Sequence, residues 1–173
     1  MNEKIIIGKH TLESLTSGMY SDPYVVFREY IQNSVDSIDV AIKSGILMSG
    51  EDQIIIQLRP TEQEIIIRDN GTGIACNEAE KVLISIGNSQ KTSESSRGFR
   101  GIGRLAALSY CKKLVFQTSF LGESKATTIT IDADKLSDLL LDSSDIDASV
   151  VDVLQKVYEV KTKPEKENAH YFI

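Results

Sequence analysis

The sequence feature that most constrains this chain lies at residues 27–36, where Glu29, Asn33 and Asp36 recur at a spacing of i, i+4 and i+7. In a helix of about 3.6 residues per turn, these three side chains lie on one face. A surface helix usually separates its charged face from its apolar stripe. Here apolar residues occupy several other sides, at Val26, Tyr30, Val35 and Ile38. The polar face is therefore predicted to line a pocket inside the fold.

The residue types on this face also indicate a chemistry. Two carboxylates and an amide that face a cavity suit a hydrated divalent cation and a water molecule to be activated. The alternative is an ordinary solvated helix surface. From this helix alone both interpretations stay open.

A second motif follows an isoleucine-rich hairpin. The runs at residues 53–58 and 64–68 flank a short turn and predict two antiparallel strands, the second of which ends at Asp69. Gly71 and Gly73 come next, and glycines at such a turn let backbone and ligand approach closely. Asp69 could accept a hydrogen bond from an exocyclic amine such as that of adenine. The alternative is a common Asp-Asn-Gly turn that only ends the strand.

A third motif is the glycine-punctuated polar segment at residues 87–103, which leads into an apolar helix predicted at residues 105–110. Small, polar segments of this kind often act as mobile lids. Backbone amides at a helix N-terminus preceded by glycines form a seat for phosphate. A solvated flexible loop would have a similar sequence, so this motif is weak by itself.

The remaining elements are predicted from caps, turns and periodicity. A long helix from Tyr24 to Lys43 begins after Asp22 and Pro23 and ends near Gly45. Further helices are predicted at residues 77–86, with Val82, Leu83 and Ile86 inward, and at residues 134–141. Further strands are predicted at residues 114–119, 126–131, 157–162 and 170–173.

Composition limits the class of protein. The chain has 173 residues, of which 41% are hydrophobic and 25% charged, so it is predicted to be one globular domain. A net charge of −6 argues against a surface devoted to nucleic acid. There is no recognisable signal peptide or membrane-spanning run, and a cytoplasmic location is expected. Because the sequence stops within an apolar strand, we expect an N-terminal fragment of a longer protein.

Together and in this order, the motifs resemble the GHKL ATPase superfamily, which includes DNA gyrase B subunits, heat-shock protein 90 chaperones, histidine kinases and MutL proteins. The first box resembles its chaperone and MutL versions, and the Gly101-Ile102-Gly103 form resembles the chaperones and kinases. A heat-shock-protein-90-like or MutL/Morc-like branch is indicated. The resemblance implies the Bergerat ATP-binding fold, an α/β (α+β) two-layer sandwich in which a mixed, mostly antiparallel sheet packs on helices.

The resemblance also implies roles for individual residues and two cofactors, ATP and Mg²⁺. Glu29 would be the general base, Asn33 would hold Mg²⁺ and Asp69 would recognise the adenine amino group. The other residues implied to bind the nucleotide are Asp36, Gly71, Gly73, Ile74, Lys91, Gly98, Phe99, Arg100, Gly101, Ile102, Gly103 and Thr128. Thr127 is the alternative to Thr128. Ala169-His170 stands where the family often has a Gly-Thr pair.

The predicted function is Mg²⁺-dependent ATP hydrolysis in which lid closure drives a conformational or dimerisation clamp. A homodimer of the full-length protein is expected, with ATP and ADP as ligands and slow turnover by the isolated domain. The client is not identified by the sequence. Two other function classes stay open, a histidine-kinase-type phosphotransfer domain and a nucleotide sensor without turnover. The first box, which matches hydrolases better, and the lack of an upstream helix with a phospho-accepting histidine argue against the kinase, and the intact Glu29 argues against the sensor.

Overall fold

A six-stranded sheet forms one layer of the computed structural model, which describes residues 22–84, 103–141 and 150–173. Its strand order is β1-β2-β6-β3-β4-β5, and all five pairings between described strands are antiparallel. The strands are β1 Ile54–Arg59, β2 Glu64–Asp69, β3 Lys113–Ser119, β4 Lys125–Asp132, β5 Tyr158–Pro164 and β6 Tyr171–Phe172. The predicted fold class, a mostly antiparallel sheet with helices, is confirmed.

Helix α1, Pro23–Lys43, begins one residue before the predicted Tyr24 and ends at the predicted Lys43. The Asp22 carboxylate accepts the backbone N–H of Tyr24 at 2.9 Å, and Pro23 occupies the first turn, where its missing N–H is not needed. After Lys43 the chain leaves the helix at Ser44 and turns at Gly45, whose φ of +72° is left-handed. The helix that carries the first motif is therefore defined by local sequence at both ends.

The core lies between the sheet and the shorter helices. These are α2 Cys76–Ile84, a 3-10 helix Gly103–Ser109, α3 Ala133–Leu141 and α4 Val150–Gln155. On β3 and β4, alternate residues point toward them, and Phe116, Ile129 and Ile131 are almost fully buried there. They pack with Leu83 of α2 and Leu105 of the 3-10 helix. Burying one such side chain contributes about 2 kcal/mol.

Three details of the predicted helices are corrected by the structure. Val82 is 42% exposed and does not face the core, whereas Leu83 is buried as predicted. Helix α2 begins at Cys76, one residue earlier than predicted, and Ala79 and Leu83 form its buried side. The apolar helix predicted at residues 105–110 is a 3-10 helix that begins at Gly103. Helix α4 was not predicted, and Ile86 lies outside the described residues.

Candidate functional site

Asp69 is the buried carboxylate of the candidate site. It is the last residue of β2, is only 2% exposed, and pairs with Phe172 of β6 on one side and Ile54 of β1 on the other. Its Oδ1 accepts the backbone N–H of Gly71 at 2.9 Å, and the Ser34 hydroxyl donates to its carboxylate. Burial nevertheless raises the pKa of Asp69 to about 6, because the two hydrogen bonds offset only part of the lost hydration.

Helix α1 reaches this turn through two serines. Ser34, next to Asn33, is buried and bonds Asp69, and Ser37 lies one turn further along. The Ser37 Oγ accepts the backbone N–H of Thr72 at 3.1 Å. A Cβ atom on Gly71 would clash with the Ser37 side chain, so the absent side chain allows helix and turn to pack closely.

Gly73 and Ile74 join the turn to the centre of the sheet. Gly73 has a φ of +64°, and a Cβ atom there would clash with the backbone carbonyl of Ser119. The N–H of Ile74 donates to the Thr118 hydroxyl at 2.7 Å, and that hydroxyl donates to the carbonyl of Tyr171 at 3.1 Å. Both glycines of the motif are thus required by contacts within the protein, in addition to any approach by a ligand.

Glu29 lies at the other end of the site, against the start of the 3-10 helix. A Cβ atom on Gly103 would clash with Glu29 Oε2, so the carboxylate lies directly on the Gly103 backbone. The Tyr30 hydroxyl donates to the carbonyl of Arg104 at 2.7 Å, which fixes α1 to this helix. Arg104 Nε in turn donates to the carbonyl of Leu83 at 3.1 Å, and burial lowers the pKa of its guanidinium. The structure therefore brings the predicted base together with one predicted phosphate-binding glycine.

Asn33 and Asp36 share the stripe of α1 on which Glu29 lies. Both are half-buried. Asp36 Oδ1 accepts a hydrogen bond from Gln32 Nε2 at 2.9 Å, one turn earlier on the helix. This stripe forms the edge of the helix beside the serines that contact the Asp69 turn. Carboxylate and amide oxygens on it are suitable donors for Mg²⁺, which needs few protein ligands because it keeps several waters.

The two candidate threonines of β4 lie on opposite faces of the sheet. Thr127 pairs with Thr118, and Thr128 pairs with Gln117. Since successive strand residues face opposite ways, Thr127 shares the helix-facing side with Thr118 and Asp69, whereas Thr128 belongs to the other side. Thr127 is 2% exposed, and its Oγ1 has no hydrogen-bond partner among the described residues. The geometry thus favours Thr127, the alternative, over Thr128 as the threonine of this site.

Several predicted site residues lie outside the described parts of the chain. They are Lys91, Gly98, Phe99, Arg100, Gly101 and Ile102. Within residues 22–84, 103–141 and 150–173 there is no group of three or more histidine, cysteine or acidic side chains placed to hold a metal ion. The helices of these same ranges include none that is long and apolar enough to cross a membrane.

The sequence did not single out Ser34, Ser37 or Thr118, although each bonds the Asp69 turn or the residues that follow it. A signal for the serines existed. They lie on the inward side of α1 between the apolar positions Tyr30, Ile38 and Ala41, where a hydroxyl needs a partner. Thr118 had no such local signal, because its partners are 44 and 53 residues away.

Comparison with known proteins identifies the family of this chain. Residues 20–162 match a family described as "Histidine kinase-, DNA gyrase B-, and HSP90-like ATPase". The Chaperone protein HtpG of Geobacter metallireducens is 28% identical over 137 residues, which are 68% of this chain and 21% of that protein. HtpG of Legionella pneumophila (strain Lens) is 29% identical over 120 residues, 62% of this chain and 19% of that protein. HtpG of Polaromonas sp. is 32% identical over 84 residues, 45% of this chain and 13% of that protein. The chain thus matches only about a fifth of the length of the first two relatives.

Proposed function

Because the chain belongs to the histidine kinase-, DNA gyrase B- and HSP90-like ATPase family, we propose that it binds ATP with Mg²⁺ and hydrolyses its terminal phosphate. The observation that carries this proposal is the buried carboxylate of Asp69, held at a turn beside α1, with Glu29 on the same helix. Such a carboxylate is costly to bury unless a donor completes its hydrogen bonds. A ligand with an amino group supplies that donor.

At the base end, Asp69 accepts a hydrogen bond from the exocyclic amine of adenine. The Gly71 amide and the Ser34 hydroxyl already orient its carboxylate, so little reorganisation is needed on binding. Thr127, whose buried hydroxyl has no described partner, is a second polar group on this face of the sheet. Gly73 and Ile74 complete this side of the site through the loop that they anchor to Thr118 and Ser119.

At the phosphate end, Glu29 orients a water molecule and takes its proton as the water oxygen attacks the terminal phosphorus. The bond from that phosphorus to the bridging oxygen breaks, and ADP leaves with the electron pair. Asn33 is the ligand proposed for Mg²⁺, which when bound neutralises charge on the phosphate oxygens. The Gly103 backbone lies against Glu29. On the family resemblance, the amides of residues 98–103 and the Lys91 side chain are proposed to bind the phosphate oxygens.

Lid closure over the nucleotide, homodimerisation and a cytoplasmic location complete the proposal. They rest on the resemblance to the ATPase superfamily, and the chain spans only about a fifth of the length of its HtpG relatives. Turnover by this chain alone is therefore proposed to be slow, and the client of the full-length protein is left open.

Calorimetry of ATP binding, with and without Mg²⁺, tests the proposal when it is combined with phosphate release. The wild type is expected to bind ATP, Asp69→Asn to lose binding, and Glu29→Gln to bind without releasing phosphate. Asp39→Asn is the matched control, since it removes one carboxylate from an exposed position on the same helix. Absence of ATP binding by the wild type, or unchanged binding by Asp69→Asn, would overturn the proposal.

A further inference from the structure

We propose that His170 is a positioning residue for nucleotide binding, which it serves by fixing the two peptide units that follow Asp69. This inference rests on the proposed function, because Asp69 is the group that would contact the base. The partners of His170 are the backbone carbonyls of Asn70 and Gly71, not the Asp69 side chain. It acts on the backbone of the turn, so it is expected to change affinity more than the rate of the chemical step.

The need for such a residue follows from the sheet. Strand β6 contains only Tyr171 and Phe172, yet it is the strand that joins the β1–β2 hairpin to β3, β4 and β5. Between β2 and β6 a single residue pair is in register, Asp69 with Phe172. The turn after Asp69 therefore leaves the sheet at its most weakly paired junction. Contacts from outside the strand ladder must hold it.

His170 supplies these contacts from the position immediately before β6. Its Nδ1 lies 3.1 Å from the carbonyl oxygen of Asn70 and 2.9 Å from that of Gly71. Both partners can only accept a hydrogen bond. Nδ1 must therefore carry the proton, which it shares between the two carbonyls. The ring is half-buried and lines a cavity of about 550 Å³ beside Arg68 and Tyr171.

The planarity of the peptide bond transmits this contact to Asp69. The carbonyl of Asn70 and the N–H of Gly71 belong to one rigid unit and point in opposite directions. On one side this unit accepts from His170, and on the other its N–H donates to Asp69 Oδ1 at 2.9 Å. By holding the Asn70 carbonyl, His170 therefore also fixes the direction in which the Gly71 N–H points at the Asp69 carboxylate.

The next peptide unit repeats the arrangement. The carbonyl of Gly71 accepts from His170, while the N–H of Thr72 donates to Ser37 Oγ at 3.1 Å. The turn is thus held between α1 and β6, with His170 on one side and Ser37 on the other. The Asn70 side chain also bonds the backbone of Glu51 and Gln53. Removing the imidazole would leave the carbonyls of Asn70 and Gly71 without this donor and would loosen the orientation of the Asp69 carboxylate.

Three substitutions distinguish this role from simple packing. His170→Ala removes the donor. His170→Asn keeps a nitrogen donor at nearly the position of Nδ1, whereas His170→Gln moves it one atom further out. We expect the dissociation constant and KM for ATP to rise about tenfold in His170→Ala, with kcat changed less than about twofold. His170→Asn is expected to restore affinity to within about threefold of the wild type, and His170→Gln to remain near His170→Ala.

Two readouts separate failure of this inference from failure of the proposed function. If the wild type binds ATP and Asp69→Asn does not, but His170→Ala binds like the wild type, only the role of His170 is refuted. If the wild type does not bind ATP, both fail. Independently of nucleotide, the ¹⁵N chemical shifts of the ring report which nitrogen carries the proton. Protonation of Nδ1 is expected, and a neutral ring protonated at Nε2 alone would overturn the inference, as would rescue by His170→Gln but not by His170→Asn.

Discussion

Substitution of Asp69 by asparagine should stabilise the nucleotide-free protein at the same time as it removes nucleotide binding. Burial raises the pKa of Asp69 from 3.8 to about 6, so the folded protein binds this proton more tightly than the unfolded chain does. One pKa unit corresponds to about 1.4 kcal/mol, and the whole shift therefore to about 3 kcal/mol. An amide keeps the shape and an acceptor for Gly71 but carries no charge that needs hydration.

The sign of the pH dependence follows from the direction of the shift. The folded-state pKa lies above the unfolded one, so the stabilising contribution of protonation is fully present below pH 3.8 and is lost as the pH rises through 6. At pH 8 the wild type has lost all of it. At pH 4.5 about 2 of the 3 kcal/mol have returned. The Asp69→Asn variant has no carboxylate at this position, so its stability lacks this pH-dependent contribution.

Urea unfolding of wild type and Asp69→Asn at pH 8 and pH 4.5, without nucleotide, measures this difference. The free energy of unfolding of the variant minus that of the wild type should be about 2 kcal/mol larger at pH 8 than at pH 4.5, which means that the variant gains more stability at pH 8. Asp39→Asn controls for the loss of one negative charge from a protein of net charge −6. A pH-independent difference, or the same pH dependence in Asp39→Asn, would refute burial of Asp69 as the cause.

Two further predictions concern the loop and the sheet beside Asp69. Gly73→Ala places a Cβ atom against the Ser119 carbonyl at a φ of +64° and should lower the free energy of unfolding by more than about 2 kcal/mol. The control is Gly122→Ala, at a φ of +86° in open space, which should lower it by about 1 kcal/mol. Equal losses of the two variants in thermal unfolding would contradict the steric argument. Thr127→Val removes a buried hydroxyl without a described partner and should raise the free energy of unfolding in urea by about 1 kcal/mol. The control Thr128→Val, on the other face of the sheet, should change it by less than about 0.5 kcal/mol. A clear loss of stability in Thr127→Val would show that its hydroxyl is bonded.

The parts of the fold that the sequence predicts well are those whose causes are local. Helix α1 is bounded by Asp22 with Pro23 at one end and Gly45 at the other, and both signals act within a few residues. The β1–β2 hairpin is likewise determined by two isoleucine-rich runs around a short turn, and its register delivers Asp69 to the end of β2. These two elements carry Glu29, Asn33, Asp36 and Asp69, on which much of the family resemblance rests.

The parts of the fold that the sequence predicts poorly are those that depend on partners distant along the chain. The inward side of α2 was misjudged at Val82, because Ala79 and Leu83 are selected by the sheet and the 3-10 helix against which they pack. The choice between Thr127 and Thr128 depends on strand register, and a shift of one residue moves the hydroxyl to the other face. Within β4 the alternation already places Thr127 on the same face as Ile129 and Ile131, but which face turns toward the helices depends on partners that are distant in sequence.

Helix α1 carries both the strongest sequence motif and the contacts to the Asp69 turn, on adjacent sides. Glu29, Asn33 and Asp36 lie on a half-buried side of α1 that is proposed to face the nucleotide, whereas the neighbouring Ser34 and Ser37 bond the Asp69 turn. A helix can serve both purposes because residues one position apart are separated by about 100° around its axis. The groups proposed to contact the nucleotide can therefore lie beside the serines that hold the Asp69 turn. Substitution of Ser34 or Ser37 should therefore alter the affinity for ATP, whereas substitution of Glu29 should alter turnover while binding is kept.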